Sequence, residues 1–282
     1  MVLNPKSISG LLKGIRIVNL FLVLFFYIIV YLKIIPHVDF QTFALLLVST
    51  LLIMAGGNLE NDLFDLQTDR FNRKTNFYLE TGTGSARLLP YFFYATGLVI
   101  AYLFLHQINR NGWIFYFASV VILLTNYNRS LKQAPFIGNI VVAALSMLSV
   151  VQFLFFFDIL PYYAEIIGML GMLIFCVNLN RELVKDLLDR KGDRRSGYHT
   201  LGIIHPGIAF QIVFFLSILA TAISLFIVFS VDNLYFTILF FMVTLLQLFG
   251  ILYLFRRKKS LSLLKNLYKW IIFIGITSVM LL

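Results

Sequence analysis

The sequence predicts an all-α, polytopic membrane protein of about nine transmembrane helices, and three observations carry that prediction. The 282 residues are 60% hydrophobic and only 13% charged, with a mean hydropathy of +0.89, whereas soluble domains carry about 25% charged residues. Nine apolar stretches approach the roughly 20 residues a helix needs to cross a bilayer. When they are threaded back and forth with the N-terminus inside, every Lys and Arg except Lys33 and Arg110 falls on the inner side, as the positive-inside rule demands.

Taken in order, residues 5–16 suit a short interfacial helix with Lys13 and Arg16 at the headgroups. The first span, 15–35, is long for a signal peptide and no small-residue cleavage signature follows it. The second, 40–57, runs into a polar connection over 58–87. Spans at 88–106, 111–126 (the shortest) and 136–157 follow, then 161–179, which contains the single Cys176 and runs into a second polar connection over 180–206. The last three are 207–230, 233–255 and 264–282. All read as helices, because open sheet edges leave backbone groups unsatisfied in lipid. Little chain remains for a soluble domain, so 1–282 reads as a single transmembrane domain. One cysteine excludes an intrachain disulfide, and its apolar setting makes it an inert thiol. The net charge of +10 follows from topology and attraction to anionic membrane lipids, with no need of nucleic acid.

The acidic residues carry the chemistry. Asp62, Asp65 and Asp69 are spaced D-x-x-D-x-x-x-D, and Asp186, Asp189 and Asp193 repeat that spacing 124 positions later. Eight of the 13 acidic residues fall between Glu60 and Asp69 or between Glu182 and Asp193. Carboxylates are costly at a bilayer, so such clusters mark function. At about 100° per residue, Asn58, Asn61, Asp62, Asp65 and Asp69 share an arc of about 100°, and Glu182, Asp186, Asp189 and Asp193 one of about 60°. Each cluster is thus one acidic face on the cytoplasmic end of a long helix that follows a pair of spans, a pattern of two pseudo-repeated bundles. Facing one another, such ends would suspend Mg²⁺ ions, which take carboxylate and phosphate oxygens, and would hold a diphosphate as a leaving group. Arg73, Lys74, Lys132, Lys185, Arg194 and Arg195 lie near enough in sequence to contact phosphate. Four scattered histidines show no metal-ligand spacing, and no phosphate-binding P-loop or nucleophile elbow occurs.

Three segments resemble the UbiA superfamily of intramembrane prenyltransferases. N-D-L-F-D-L-Q-T-D over 61–69, with Asn72 and Arg73 following, is similar to its first signature. R-E-L-V-K-D-L-L-D-R-K-G-D over 181–193, followed by Gly197, Thr200 and Leu201, is similar to its second. Tyr127 to Lys132, then Gly138 and Asn139, resemble a third. The resemblance implies nine helices around a central cavity, with Mg²⁺ as cofactor held by Asn61, Asp65, Asp69, Asp189 and Asp193. Asp62 and Asp186 bind the metal directly or tune its ligands. Catalytic weight falls on Asp65, Asp69, Asp189 and Asp193; Asn58, Arg73, Tyr127, Lys132, Arg181 and Lys185 are candidates for binding substrate, with Tyr127 offering a π-face to an allylic cation. The sequence departs from many members in lacking a proline after the first signature, where it reads K-T-N-F-Y over 74–78.

The function expected is transfer of a polyprenyl group from an allylic diphosphate, such as geranylgeranyl diphosphate, to a lipophilic acceptor. The second signature is most similar to the branch that contains geranylgeranylglycerol-phosphate geranylgeranyltransferases together with chlorophyll- and homogentisate-type enzymes, and the resemblance favours a glycerol-phosphate lipid as acceptor. An aromatic quinone precursor is the alternative. The protein would then sit in a bacterial or archaeal cell membrane, its N-terminus and active site cytoplasmic. A cation-coupled transporter would instead place its carboxylates near the bilayer midplane on broken helices. A phosphotransferase acting on cytidine-activated alcohols would continue its first motif with Asp-Gly after the second aspartate, and Leu66 follows Asp65 here.

Overall fold

The computed structural model describes residues 5–72, 75–255 and 261–282. Every regular element among these is a helix, with no strand among the described residues. Six stretches are long and apolar enough to cross a bilayer: Phe40–Phe64, Ser85–Gln107, Pro161–Arg195, Pro206–Ser230, Leu234–Leu254 and Leu261–Leu281. The other three expected spans are helical but shorter, at 17, 16 and 15 residues. The stretch expected over 136–157 is divided at Gln152, and the one expected from 111 opens as a 3₁₀ turn. Large apolar side chains such as Phe92, Phe115, Phe215 and Phe229 are exposed, a surface that lipid covers and water would not tolerate. The protein is an integral, multi-pass membrane protein. Its chain divides into two compact units, with the main boundary in sequence between Lys132 and Gln133.

The first unit contains α1 (Pro5–Gly14), α2 (Ile17–Lys33), α3 (Phe40–Phe64), α4 (Leu66–Asn72), α5 (Phe77–Thr81), α6 (Leu89–Gln107) and α7 (Ile114–Arg129). Asp39 caps α3, its carboxylate accepting from the Thr42 amide and satisfying an N–H that the helix leaves open. Gly97 lets α6 lie directly on α3: a Cβ there would stand 2.8 Å from Ile53 and 3.3 Å from the Ser49 carbonyl, the close approach that small residues permit in membranes. The short α1, expected at the interface, packs Leu11 and the following Ile15 against a cluster of Leu59, Phe77 and Tyr78. That cluster braces the end of α3 that carries the first acidic motif.

The second unit contains α8 (Ile137–Val151), α9 (Phe153–Phe156), α10 (Pro161–Arg195), α11 (Leu201–Ile204), α12 (Pro206–Ser230), α13 (Leu234–Phe255) and α14 (Leu261–Ser278). At 1.5 Å per residue, the 35 residues of α10 extend about 52 Å, well beyond a hydrocarbon core of about 30 Å. The helix therefore crosses the bilayer and carries the second acidic motif out of it without a break. Buried polar side chains tie its neighbours together. Ser224 donates to Gln247 Oε1 (2.8 Å) and receives the Thr244 hydroxyl (3.0 Å), joining α12 to α13, the kind of interhelical bond that holds helices where lipid supplies no hydrophobic drive.

Candidate active site

In the first unit, α3 stops at Phe64 and α4 begins at Leu66, so the first acidic motif has a step at Asp65. The Asp65 N–H still bonds to the Asn61 carbonyl and the Asp69 N–H to the Asp65 carbonyl, which keeps the three aspartates in helical register. Asn61, itself buried, donates to Asp65 Oδ2 at 2.7 Å. Lys132, from the turn after α7, places its ammonium 2.6 Å from Asp65 Oδ1. One carboxylate is thus held by an amide on one oxygen and a cation on the other. Tyr127 lies on α7, five residues before Lys132 and half-buried.

Asn76 was not singled out from the sequence, yet it organises this end of the unit. Its Oδ1 accepts from the Tyr78 amide and caps α5. Its Nδ2 donates to the Asp62 carbonyl (2.7 Å) and to Asp69 Oδ2 (2.8 Å). This residue falls in the K-T-N-F-Y segment where a proline was missing, so an asparagine cap shapes the turn here. The nearest sequence signal was an Asn directly ahead of a short apolar run, a capping position. The Asp62 carboxylate accepts a longer bond of 3.4 Å from the Phe77 amide. Asn58 turns to the residue that follows α1, donating to the Ile15 carbonyl at 2.9 Å. Arg73 and Lys74 lie outside the described residues.

Glu60, counted with the acidic cluster from sequence, stands apart from it. It is 0% exposed, and its Oε2 receives the Tyr94 hydroxyl (2.9 Å) and the Asn128 amide (3.1 Å). Asn128 also donates to the Gly57 carbonyl. The arrangement fastens α3 to α6 and α7 beside Asn61. Helical arithmetic already left Glu60 outside the acidic arc, but nothing in the sequence named its partners.

In the second unit, Asp186, Asp189 and Asp193 lie on the projecting end of α10. Asp186 Oδ2 accepts from Asn139 of α8 at 3.0 Å, so an asparagine at the third resembling segment holds this motif as Asn61 holds the first. Asp193 is 7% exposed, and the chain turns behind it, with the Tyr198 amide on its carbonyl and Gly197 at φ +77°. The following α11 presses on α10 at Gly202, where a Cβ would stand 2.8 Å from the Asp186 carbonyl carbon and oxygen. Lys185 and Arg181 both engage Glu182, at 3.3 and 3.9 Å.

Among the described residues, no three Asp, Glu, His or Cys side chains converge into a ready-made metal cage. The donor sets nevertheless suit Mg²⁺, which binds through one or two carboxylates plus substrate phosphates and water rather than a full protein cage. Among the groups contacting Asp65, Asp69 and Asp186 are three amide N–H donors and one ammonium. They mark the carboxylate oxygens that a hard cation would use.

A family model described as the UbiA prenyltransferase family matches residues 20–274. The chain belongs to that family. Among its UbiA relatives, the digeranylgeranylglyceryl phosphate synthase of Pyrococcus furiosus is 36% identical over 177 residues, covering 59% of this chain and 57% of that one. The synthase of the same name from Sulfolobus acidocaldarius is 34% identical over 54% of this chain and 53% of the relative. These matches span little more than half of the relatives' length. In fold the likeness is nearly complete. A chain solved in work on digeranylgeranylglyceryl phosphate synthase in membranes aligns with a TM-score of 0.74 at 21% identity, over 98% of both chains. A UbiA homologue from Archaeoglobus fulgidus, bound to GPP and Mg²⁺, aligns at 0.67 and 16% identity over 96% of this chain and 99% of that one.

Proposed function

We propose that this protein transfers a polyprenyl group from an allylic diphosphate, with geranylgeranyl diphosphate as donor, to the hydroxyl of a glycerol-phosphate lipid. The observation that carries the reading is the pair of oxygen-rich acidic faces, one per unit, each with a buried asparagine amide on an aspartate. Family membership and the synthase names of the relatives support it, as does the homologue bound to a prenyl diphosphate and Mg²⁺.

On this reading Asn61, Asp65, Asp69, Asp189 and Asp193 hold Mg²⁺, with Asp62 and Asp186 in direct or supporting roles. The metal, when bound, supplies positive charge that stabilises departing diphosphate. Asn61 keeps Asp65 aimed, Asn76 keeps Asp69 aimed, and Asn139 keeps Asp186 aimed. Lys132 offers its ammonium to the diphosphate oxygens, aided by Arg73 and Lys185. As the allylic C1–O bond breaks, its electron pair leaves with the diphosphate. Tyr127 presents a π-face to the positive charge left on the prenyl chain. The acceptor hydroxyl oxygen then bonds to C1 and its proton leaves to solvent. The whole chain acts as one domain, and the basic inner loops orient the N-terminus and both acidic helix ends to the cytoplasm.

The test is purified protein with Mg²⁺, labelled geranylgeranyl diphosphate and a panel of acceptors. A prenylated glycerol-phosphate lipid with diphosphate release is the expected result. Product only with hydroxybenzoate, naphthoate or homogentisate would move the acceptor to the aromatic class while keeping prenyl transfer. Absence of diphosphate release with every donor length and acceptor would refute both.

A further inference from the structure

The buried network around Glu60 takes no part in prenyl transfer, and hydrogen bonds alone do not balance its charge. Glu60, Tyr94 and Asn128 come from α3, α6 and α7 of the first unit and are 0%, 4% and 1% exposed. The Tyr94 hydroxyl donates at 2.9 Å and the Asn128 amide at 3.1 Å, both to the same oxygen, Glu60 Oε2. The Asn128 amide also donates to the Gly57 carbonyl at 3.1 Å. Two oxygens are left over. Glu60 Oε1 and Asn128 Oδ1 are both buried with no hydrogen-bond partner among the described residues. They belong to two groups that are bonded to each other, so one buried spot gathers a carboxylate and two idle acceptors. Among the described residues, no Lys, Arg or His pairs with Glu60.

A carboxylate taken out of water without a counter-charge is costly, and buried polar atoms without partners point to a bound water or ion. Whatever pairs with these atoms must be positive and must serve two acceptors. A water molecule would bridge the oxygens but leave the charge. A proton on Oε1 would serve one oxygen and make an O–H with no acceptor in reach. A divalent ion would leave excess positive charge in the same buried setting. A monovalent metal cation meets both needs, and membrane proteins hold Na⁺ and K⁺ with such oxygens. Access is short as well. Glu60 lies four residues from the end of α3 and Asn128 one residue from the end of α7, so an ion need not travel the apolar length of either helix.

We propose that Glu60 Oε1 and Asn128 Oδ1 hold a monovalent metal cation, Na⁺ or K⁺, that ties α3 to α7. The site shares no residue with the acidic arc of Asn58, Asn61, Asp62, Asp65 and Asp69. Its ion braces the helix that bears Asn61 against the helix that ends just before Lys132. It stands on the geometry of the first unit and does not depend on the prenyl-transfer reading.

The test uses the full-length protein in a non-ionic detergent with EDTA, so that no divalent ion contributes. Thermal melts by circular dichroism are compared in NaCl, KCl and N-methyl-D-glucamine chloride at equal ionic strength, the last cation being too large for a buried site. Na⁺ or K⁺ should raise Tm by at least about 4 °C over N-methyl-D-glucamine, as for an ion well above its Kd, and the larger shift identifies the ion. Radiolabelled Na⁺, or Rb⁺ standing for K⁺, should bind saturably. Glu60→Gln should abolish both the salt difference and the binding. Asn128→Ser, which withdraws the second oxygen and keeps the charge, should weaken binding by at least about fivefold. Tyr94→Phe removes a donor and neither oxygen; it should melt earlier yet keep the salt difference, which separates the ion from packing. Asp69→Asn should bind the ion as the wild type does, and loss there would assign the ion to the acidic face and overturn the site. Identical melts in the three salts without saturable binding would overturn it, as would a Glu60→Gln protein that keeps either signal. Where Glu60→Gln fails to fold, Asn128→Ser decides, and unweakened binding in that variant would overturn the pair.

Discussion

Asn76→Ala is the sharpest perturbation of the first acidic face. Asn76 is 2% exposed and makes three bonds: the cap on α5, a donation to the Asp62 carbonyl and a donation to the Asp69 carboxylate. Losing an N-cap costs about 1 kcal/mol. A neutral hydrogen bond contributes about 0.5–1.5 kcal/mol and one to a charged group about 1.5–3 kcal/mol. The variant should therefore lose about 3–5 kcal/mol, a fall in Tm of at least about 6 °C for a unit of this size, read by circular dichroism in detergent. The Mg²⁺ concentration that half-saturates diphosphate release should rise, because the Asp69 carboxylate loses the amide that fixes it. Asn76→Ser separates the contributions. Serine caps a helix about as well as asparagine but is too short to keep both donations, so it should recover only about 1 kcal/mol. Complete recovery of both Tm and Mg²⁺ dependence by serine would refute the claim that Asn76 anchors Asp69.

The remaining predictions concern the other acids, the brace beside them and the topology. Asp65→Ala, Asp69→Ala, Asp189→Ala and Asp193→Ala should each abolish turnover while keeping the helical circular-dichroism signal; activity in two of the four would mean that these faces are merely solvated. Glu60→Ala leaves the Tyr94 hydroxyl and Asn128 amide buried without their shared acceptor, and should destabilise by about 2–4 kcal/mol, with Glu60→Gln milder in a thermal melt. Gly202→Ala sets a methyl 2.8 Å from the Asp186 carbonyl; the overpacking should cost about 1–3 kcal/mol and lower kcat through the displaced second motif. Reporter fusions should place 58–87 and 180–206 on the cytoplasmic side, and an external signal from either would refute the proposed orientation.

Much of the candidate site was legible because its residues sit on helices, where position along the chain converts directly into direction. The shared spacing of Asp62, Asp65 and Asp69 with Asp186, Asp189 and Asp193 needed only the 3.6-residue period. The unbroken α10 bears that reading out, and in α3 and α4 the step at Asp65 leaves the helical bonds intact. The amides that aim those carboxylates were not legible in the same way. Asn76 reaches Asp69 across a turn, and Asn139 reaches Asp186 from another helix, 47 positions away. No periodicity relates such pairs. Glu60 shows the opposite failure: it lies among the acids in sequence, but its side chain closes a buried contact with Tyr94 and Asn128.

What the amino-acid order determined by itself is therefore everything that local geometry and solvent partition control. Apolar runs must enter lipid, basic loops bias the direction of threading, and carboxylates at helical spacing must share a face. What only the tertiary structure decided is which polar groups meet. In lipid a buried polar atom must find a partner on a neighbouring helix, and that partner depends on how helices pack rather than on spacing along the chain. Asn180, Ser217 and Tyr268 illustrate the difference: in sequence they are three unrelated polar residues, and in the fold they meet as one buried hydrogen-bonded chain across α10, α12 and α14.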